Sequence, residues 1–600
     1  MMPTSPSTRR DQVRRAAAGT LLASFRGSTV PEWVGRAVDD GLGGICVYGS
    51  NRGLDVASMA AVLHERRADV VVAADEEGGD VTRLEAATGS SVPGNAALGV
   101  VDHVDLTQRI GGALGGLLRS VGIDLDLAPC ADVNSDPANP VIGVRSFGAD
   151  PHLAARHTAA FVSGLQAAGV AACAKHFPGH GAVTVDSHLA LPTVDAPLTV
   201  LRERELVPFR AALAAGVAAV MPGHLLVPAL DADAPATVSR AIITDLLRGE
   251  LGFDGVVVTD ALDMGGIGGP PEIPANVVRA LAAGADLCCL GPDNDEALVQ
   301  ACIDAVEAAV AAGTLAAERL WDAATRVAAL RPALDVAAGR SDLASVSDAC
   351  AGEGRQNAGS PSGGTGEGDL ASVSGGCAGE GRQNDGAPPD QGTGRDTVIV
   401  ALARAGAEAA GRALRVDGVV PHPVRGAHVV ELDRPVNIAA GAVPWGVAAS
   451  LAGLDPTTTA ARVAEGDDAG IAAALDTGAG RPLVVVVRDP QRRPAQATAL
   501  RTLLGARPDA VVVDMGWPSA APTGVAAPGG PGGADDAAGG PGGGELGDPG
   551  APAAAVRITT FGASRASGEA VARLLAGVHE TEAGPPAGPT RPTSGRISRG

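Results

Sequence analysis

Lysine is almost missing from these 600 residues. Lys175 stands alone, and every other long basic side chain among the 46 Lys plus Arg is arginine. Against 68 Asp plus Glu this leaves a formal net charge of −22. Nucleic acid and anionic membrane both need clustered Lys/Arg, so neither is expected as a partner. Aromatic residues are scarce at 2%, which leaves Ala, Val, Leu and Gly to carry the packing. The eight cysteines form no C-x-x-C pair. Several lie in apolar runs such as "GGICVY" and "ADLCCLG", where a thiol behaves as a small buried hydrophobe rather than a ligand. No stretch is long and apolar enough to span a bilayer. The apolar run "AAAGTLLASF" (16–25) is too short for a secretory signal and reads as a first helix. A soluble, cytoplasmic chain is expected, and 600 residues exceed one ordinary core, so it should hold two or more domains.

What is present has a clear order. From 18 to 335, β-branched runs alternate with Ala/Leu-rich helical stretches. The runs are "GGICVY" (43–48), "DVVVAAD" (69–75), "IDLDLAP" (123–129), "GVAACAKH" (169–176), "VAAVMPGH" (217–224), "GVVVTDA" (255–261) and "ADLCCLG" (285–291). Helices such as 107–120, 151–168 and 203–215 fall between them. This alternation predicts a parallel (β/α)8 TIM-like barrel. Residues 336–396 are rich in Gly and Ser, and "DLASVSDACAGEGRQN" (342–357) recurs as "DLASVSGGCAGEGRQN" (369–384). Two copies are too few for a solenoid, so this reads as a duplicated, disordered linker. A smaller α/β domain is expected over 397–580, with strands at "DTVIVALA", "RPLVVVVRD" and "DAVVVDMG". A disordered loop interrupts it at 519–552, and a disordered tail occupies 581–600.

Polar residues sit where the barrel strands end: Asp75, Lys175 with His176, His224 and Asp260. That face is where barrel active sites are built. The segment "KHFPGHGAVTVDSHLALP" (175–192) concentrates three histidines, a lysine and an aspartate among Gly/Pro turns. His176, His180 and His188 offer the donor type of a zinc site. Pro178-Gly179 keeps the first two off a common helix face, and no H-E-x-x-H spacing appears, so no metal and no cofactor is expected. Asp186-Ser187-His188 suits acid–base work better. Residues two apart on an extended segment share a side, and a carboxylate beside an imidazole fixes its tautomer. An ordinary surface Asp–His contact would have the same spacing.

Together, "KHFPGHG", "DSH" and "LP" resemble the signature of the bacterial β-N-acetylglucosaminidases of glycoside hydrolase family 3. "GGICVYGSN" resembles the family's first strand, "DEEGGDVTRL" (75–84) the acidic loop after its second, and "NPVIGVRSFG" (139–148) a further substrate loop. "PATVSRAIITDLLRGELGFDGVVVTDALDMGGI" (235–267) resembles the run leading to the catalytic aspartate. The C-terminal region resembles the family's α/β sandwich domain loosely. The resemblance implies an exo-acting, retaining enzyme with Asp260 as nucleophile and His188, supported by Asp186, as acid/base. It places Asp75, Arg83, Arg145, Lys175, His176 and His224 at sugar-binding positions. The implied partner is a small glycoside derived from peptidoglycan or chitin. Water is the expected acceptor, inorganic phosphate the alternative, and a weakly catalytic sugar-binding homologue a third reading. No oligomeric state is implied. The chain departs from the family's usual D-Q-E-G-G-R: Glu76 stands in place of glutamine and Asp80 in place of arginine. Four carboxylates crowded on one loop should raise one another's pKa and loosen it.

Overall fold

The computed structural model describes residues 6–338, 391–435, 438–518, 554 and 556–578. The duplicated segment between 339 and 390, the whole 519–552 loop and the 581–600 tail lie outside the described residues. Eight short strands make the first sheet. They are β1 (Leu21–Ala23), β2 (Gly44–Val47), β3 (Val71–Ala74), β4 (Leu125–Asp126), β5 (Ala171–Phe177), β6 (Ala219–Pro222), β7 (Val256–Val257) and β8 (Cys288–Cys289). From β1 to β7 each strand pairs in parallel with its neighbour in the chain, and β1 also pairs with β8. A parallel bridge between Val258 and Leu287 joins β7 to β8, and the Thr259 N–H donates to the Leu287 carbonyl at 2.9 Å. The sheet therefore closes on itself as the expected α/β barrel.

Side chains alternate along these strands as the pleat requires. Val71, Ala73, Leu125, Cys173, Val256 and Cys289 meet inside the barrel. Val70, Val72, Ala74, Ala172 and Val257 face the surrounding helices. Small residues fill the interior, which explains how a core with so few aromatics packs. All six described cysteines are buried and unpaired. The helices begin at local signals. Asp150 accepts the Leu153 N–H ahead of helix Pro151–Ala167, and Asp295 does the same for Leu298 ahead of Glu296–Ala312.

Two expectations need correction. "AAAGTLLASF" is not one helix: helix Pro6–Gly19 ends there and β1 follows at once, so "GGICVY" is the second strand and the acidic loop follows the third. A three-residue strand against a helix end leaves no periodic signal. "DTVIVALA" is not a strand but part of helix Gln391–Ala413, so ordered helix begins within the range read as linker. Its apolar residues do bury. Leu402, Ala405 and Ala409 join the barrel core, and Val398 lies where Gly116 of helix Val104–Ser120 leaves room. They bury on one helical face rather than in a sheet.

The second sheet runs β11 (Thr459–Val463), β10 (His428–Leu432), β12 (Leu483–Val487), β13 (Val511–Asp514), β14 (Val556–Thr559) and β9 (Arg415–Gly418). All pairs are parallel except β14–β9. Apolar layers cover both faces, one with Val429, Val484 and Val513, the other with Val430, Val485 and Val512.

Candidate active site

The C-terminal ends of the barrel strands surround a cavity of about 230 Å³. Asp75 reaches it just after β3, Lys175 and His176 from β5, and Asp260 just after β7. Arg83, Arg145 and His188 reach it from the connecting loops. Two residues expected in the group stand behind the cavity wall. Asp186 backs His188, and His224 lies beneath with its ring nitrogens on the Thr237 hydroxyl (2.8 Å) and the Ala261 carbonyl (2.9 Å).

Lys175 is wedged between two carboxylates. Its Nζ lies 2.6 Å from Asp75 Oδ1 and 2.7 Å from Glu77 Oε1, with the side chain 2% exposed. Arg145 grips Glu77 with both Nε (2.9 Å) and Nη2 (2.7 Å). The expected mutual repulsion in the acidic loop is outweighed by cations: Asp75 and Glu77 converge on Lys175 Nζ, and Glu77 raises Asp75 less than Lys175 and Arg83 lower it. Burial pushes Asp75 up, but Lys175 and Arg83 outweigh it, so Asp75 titrates below its ordinary value. For Glu77 burial is likewise outweighed by Arg145 and Lys175, far more strongly. Asp80 pairs with Arg488 of the second domain. Glu76 rises, to about 7, and burial rather than a like charge is the main cause.

The D-S-H segment is tied down at every residue. Asp186 Oδ1 accepts the His188 backbone N–H at 2.9 Å and lies 2.7 Å from His188 Nδ1. That leaves Nε2 as the free ring nitrogen on the cavity side. Burial opposes ionisation of Asp186, but the hydrogen bonds to His188 bring its pKa below the ordinary value. Ser187 Oγ lies 2.9 Å from His180 Nε2. The backbone N–H groups of Gly265 and Gly266 donate to the carbonyls of His188 (3.0 Å) and Ser187 (2.9 Å). The loop after Asp260 thus clasps the loop carrying the Asp–His pair.

Asp260 is half-buried at the cavity, and its desolvation alone would raise its pKa. His224, His176 and His188, with the Ala261 N–H, instead bring it down to about 2. Asp263, on the same cavity wall, moves the other way, to about 6, chiefly through burial. At neutral pH Asp260 is the fully ionised carboxylate of the pair.

Residues 38–330 match the glycosyl hydrolase family 3 N-terminal domain. Over 270 residues the chain is 36% identical to a β-hexosaminidase of Pseudomonas aeruginosa strain LESB58, covering 79% of that protein and 44% of this one. The chain belongs to glycosyl hydrolase family 3. This family 3 glycosidase is also 40% identical over 223 residues to β-hexosaminidase A of Pseudoalteromonas piscicida. That match takes in 35% of this chain and 37% of the relative's length. A solved family 3 β-N-acetylglucosaminidase from Paenibacillus sp. str. FPU-7 superposes with a TM-score of 0.71 at 28% identity. The superposition covers 94% of this chain and 96% of that one.

Three further side chains organise the cavity of this family 3 enzyme: Glu77, Asp132 and His180. Glu77 is two residues from Asp75, a spacing that puts both on one side of an extended segment. Asp132 lies just past β4, at the same barrel end as the residues that were found. It holds His176 Nδ1 at 2.7 Å and accepts the His180 N–H at 2.7 Å. His180, a zinc-ligand candidate by residue type, anchors Ser187 through Nε2. Among the described residues, Cys130, Asp132 and His176 place donor atoms within 4.8 Å of one another. These donors satisfy each other: Asp132 Oδ2 also accepts from Cys130 Sγ at 3.2 Å.

Proposed function

We propose that this family 3 enzyme is an exo-acting, retaining β-N-acetylhexosaminidase that removes terminal N-acetyl-β-D-glucosamine from fragments of peptidoglycan or chitin. The observation that supports it best is the pairing of an ionised Asp260 with a His188 whose only free ring nitrogen lies toward the same cavity. The names of the relatives point to the same substrate class. In the first step a carboxylate oxygen of Asp260 attacks the anomeric carbon while the glycosidic C–O bond breaks. His188, carrying a proton on each ring nitrogen, gives its Nε2 proton to the leaving oxygen, and the Asp186 carboxylate at Nδ1 stabilises the imidazolium that makes this possible. In the second step Nε2 takes a proton from water, the water oxygen bonds to the anomeric carbon, and the ester to Asp260 breaks. Lys175, Asp75, Glu77 and Arg145 form the rigid polar wall that holds the sugar. The unpaired cysteines fit a reducing, cytoplasmic setting.

Water is favoured over phosphate as acceptor. Lys175 and Arg145 are already matched to carboxylates, and Arg83 is committed to carbonyls, so the described cavity-lining cations offer no ready clamp for a dianion. Turnover of an aryl N-acetyl-β-glucosaminide should release N-acetylglucosamine at a rate and with a product unchanged by millimolar phosphate. N-acetylglucosamine 1-phosphate as the main product would make the enzyme a phosphorylase. A 5-fluoro glycosyl reagent should label Asp260, and Asp260→Ala should lower kcat by roughly 10⁴-fold or more. A label on Asp263 or Glu77 would reassign the nucleophile.

A further inference from the structure

The barrel does not form the rim of its own cavity alone. Ile438 and Ala439, from the second domain, line the same cavity as Asp260. Their backbone is fastened on two sides. Arg83 donates through Nη2 to the Ala439 carbonyl (2.9 Å) and through Nη1 to the Ala440 carbonyl (3.2 Å), while Nη2 lies 3.5 Å from Asp75. Ala439 packs against Cys130, Val141 and Ile142, and Arg492 donates to the Asn139 carbonyl at the start of the same loop. Arg83, assigned to sugar from the sequence, therefore acts as the tie between Asp75 and the second domain.

One side chain on this clamped segment stands open among the described residues. Ile438 is 55% exposed although it belongs to a cavity wall. The cavity also has a direction. Its floor, with Lys175 and Glu77 each 2% exposed, is closed and charged, while His188 is 19% exposed and Ile438 lies further out still. An exo-glycosidase holds the non-reducing sugar at such a floor and sends the leaving group past its acid/base to the mouth. We propose that Ile438 is a specificity-determining residue, an apolar platform from the second domain on which the leaving group lays its flat face. The leaving group of matching chemistry is an uncharged one with an apolar face, a second pyranose ring or an aryl ring. This inference rests on the hexosaminidase reading above.

The test uses the full chain and two substrates with the same terminal N-acetylglucosamine. Methyl N-acetyl-β-glucosaminide has a leaving group too small to reach Ile438, whereas N,N′-diacetylchitobiose extends across it. In Ile438→Ser, kcat/KM for the disaccharide should fall about 10-fold, mostly through KM, with the methyl glycoside unchanged. Ile438→Leu, which keeps the apolar contact, should retain the wild-type preference. Equal loss on both substrates, or no loss on either, overturns the platform. A wild-type enzyme that cleaves neither substrate overturns the hexosaminidase reading and the platform with it. One that cleaves both, with Ile438→Ser indistinguishable from it, overturns the platform alone.

Discussion

The lone lysine marks a position where a point charge is needed. Lys175 Nζ bridges Asp75 and Glu77 from within 2.7 Å of each, and Arg145 already takes the outer side of Glu77. A planar guanidinium needs more room and a different approach angle than a compact ammonium with rotatable donors. Lys175→Arg should therefore lose nearly as much kcat/KM as Lys175→Ala. Near-normal kinetics for the arginine variant would show that charge alone matters there. Glu76 makes a separate case. Its folded pKa is about 7 against an ordinary 4.5, with burial outweighing hydrogen bonds from Thr82, Leu84 and Arg83. Between those values the folded chain keeps a proton that the unfolded chain has released. The stability this confers is fully present below about pH 4.5 and is lost as pH rises through 7. Glu76→Gln removes the ionisation and restores the residue usual in the family. Melting temperatures of variant and wild type should diverge in the variant's favour between pH 5 and pH 8. A constant gap would show that Glu76 does not titrate in this range.

At the scale of elements, two loops clasp each other to build the reaction centre. Gly266 approaches so closely that a Cβ there would lie 2.7 Å from the Ser187 carbonyl and 3.2 Å from His224 Cβ. Gly266→Ala should push the D-S-H loop away from Asp260 and lower kcat by about 10²-fold, the scale expected for a displacement near 1 Å. Circular dichroism and melting temperature should barely change. A normal kcat would mean that the clasp does not position His188. The sequence foretold this region unevenly, for physical reasons. Seven barrel strands were legible because buried parallel strands read as continuous β-branched runs, and the polar residues at their ends pointed to the catalytic face. The first strand, Leu21–Ala23, was hidden by the helix before it. "DTVIVALA" misled because a short apolar run cannot distinguish a buried strand from a helix packed on a neighbour. Glu77 and Asp132 escaped because their partners, Arg145 and His176, lie 68 and 44 residues away.

For the whole molecule, the same departure from the family pattern that suggested a loosened loop instead joins the two domains. Asp80 pairs with Arg488 across the interface and also accepts the Ala563 N–H at 3.0 Å. Both side chains are buried; elsewhere Arg565 reaches Glu85 at 3.0 Å and Arg109 reaches Glu408 at 3.1 Å. Surface pairs of the latter kind contribute little. The buried pair is different, because removing one member strands the other charge away from water. Arg488→Met should cost about 3–5 kcal/mol of docking. It should also free the Ile438–Ala440 segment from the cavity rim, since the same domain carries both. Calorimetry on the full chain should then show one cooperative transition splitting into two, with activity falling at the first. Asp80→Asn combined with Arg488→Met should recover part of the loss, because no charge is left stranded. If Arg488→Met still unfolds in one transition with activity intact, the domains are held by apolar contact and by the Arg83 tie rather than by this pair.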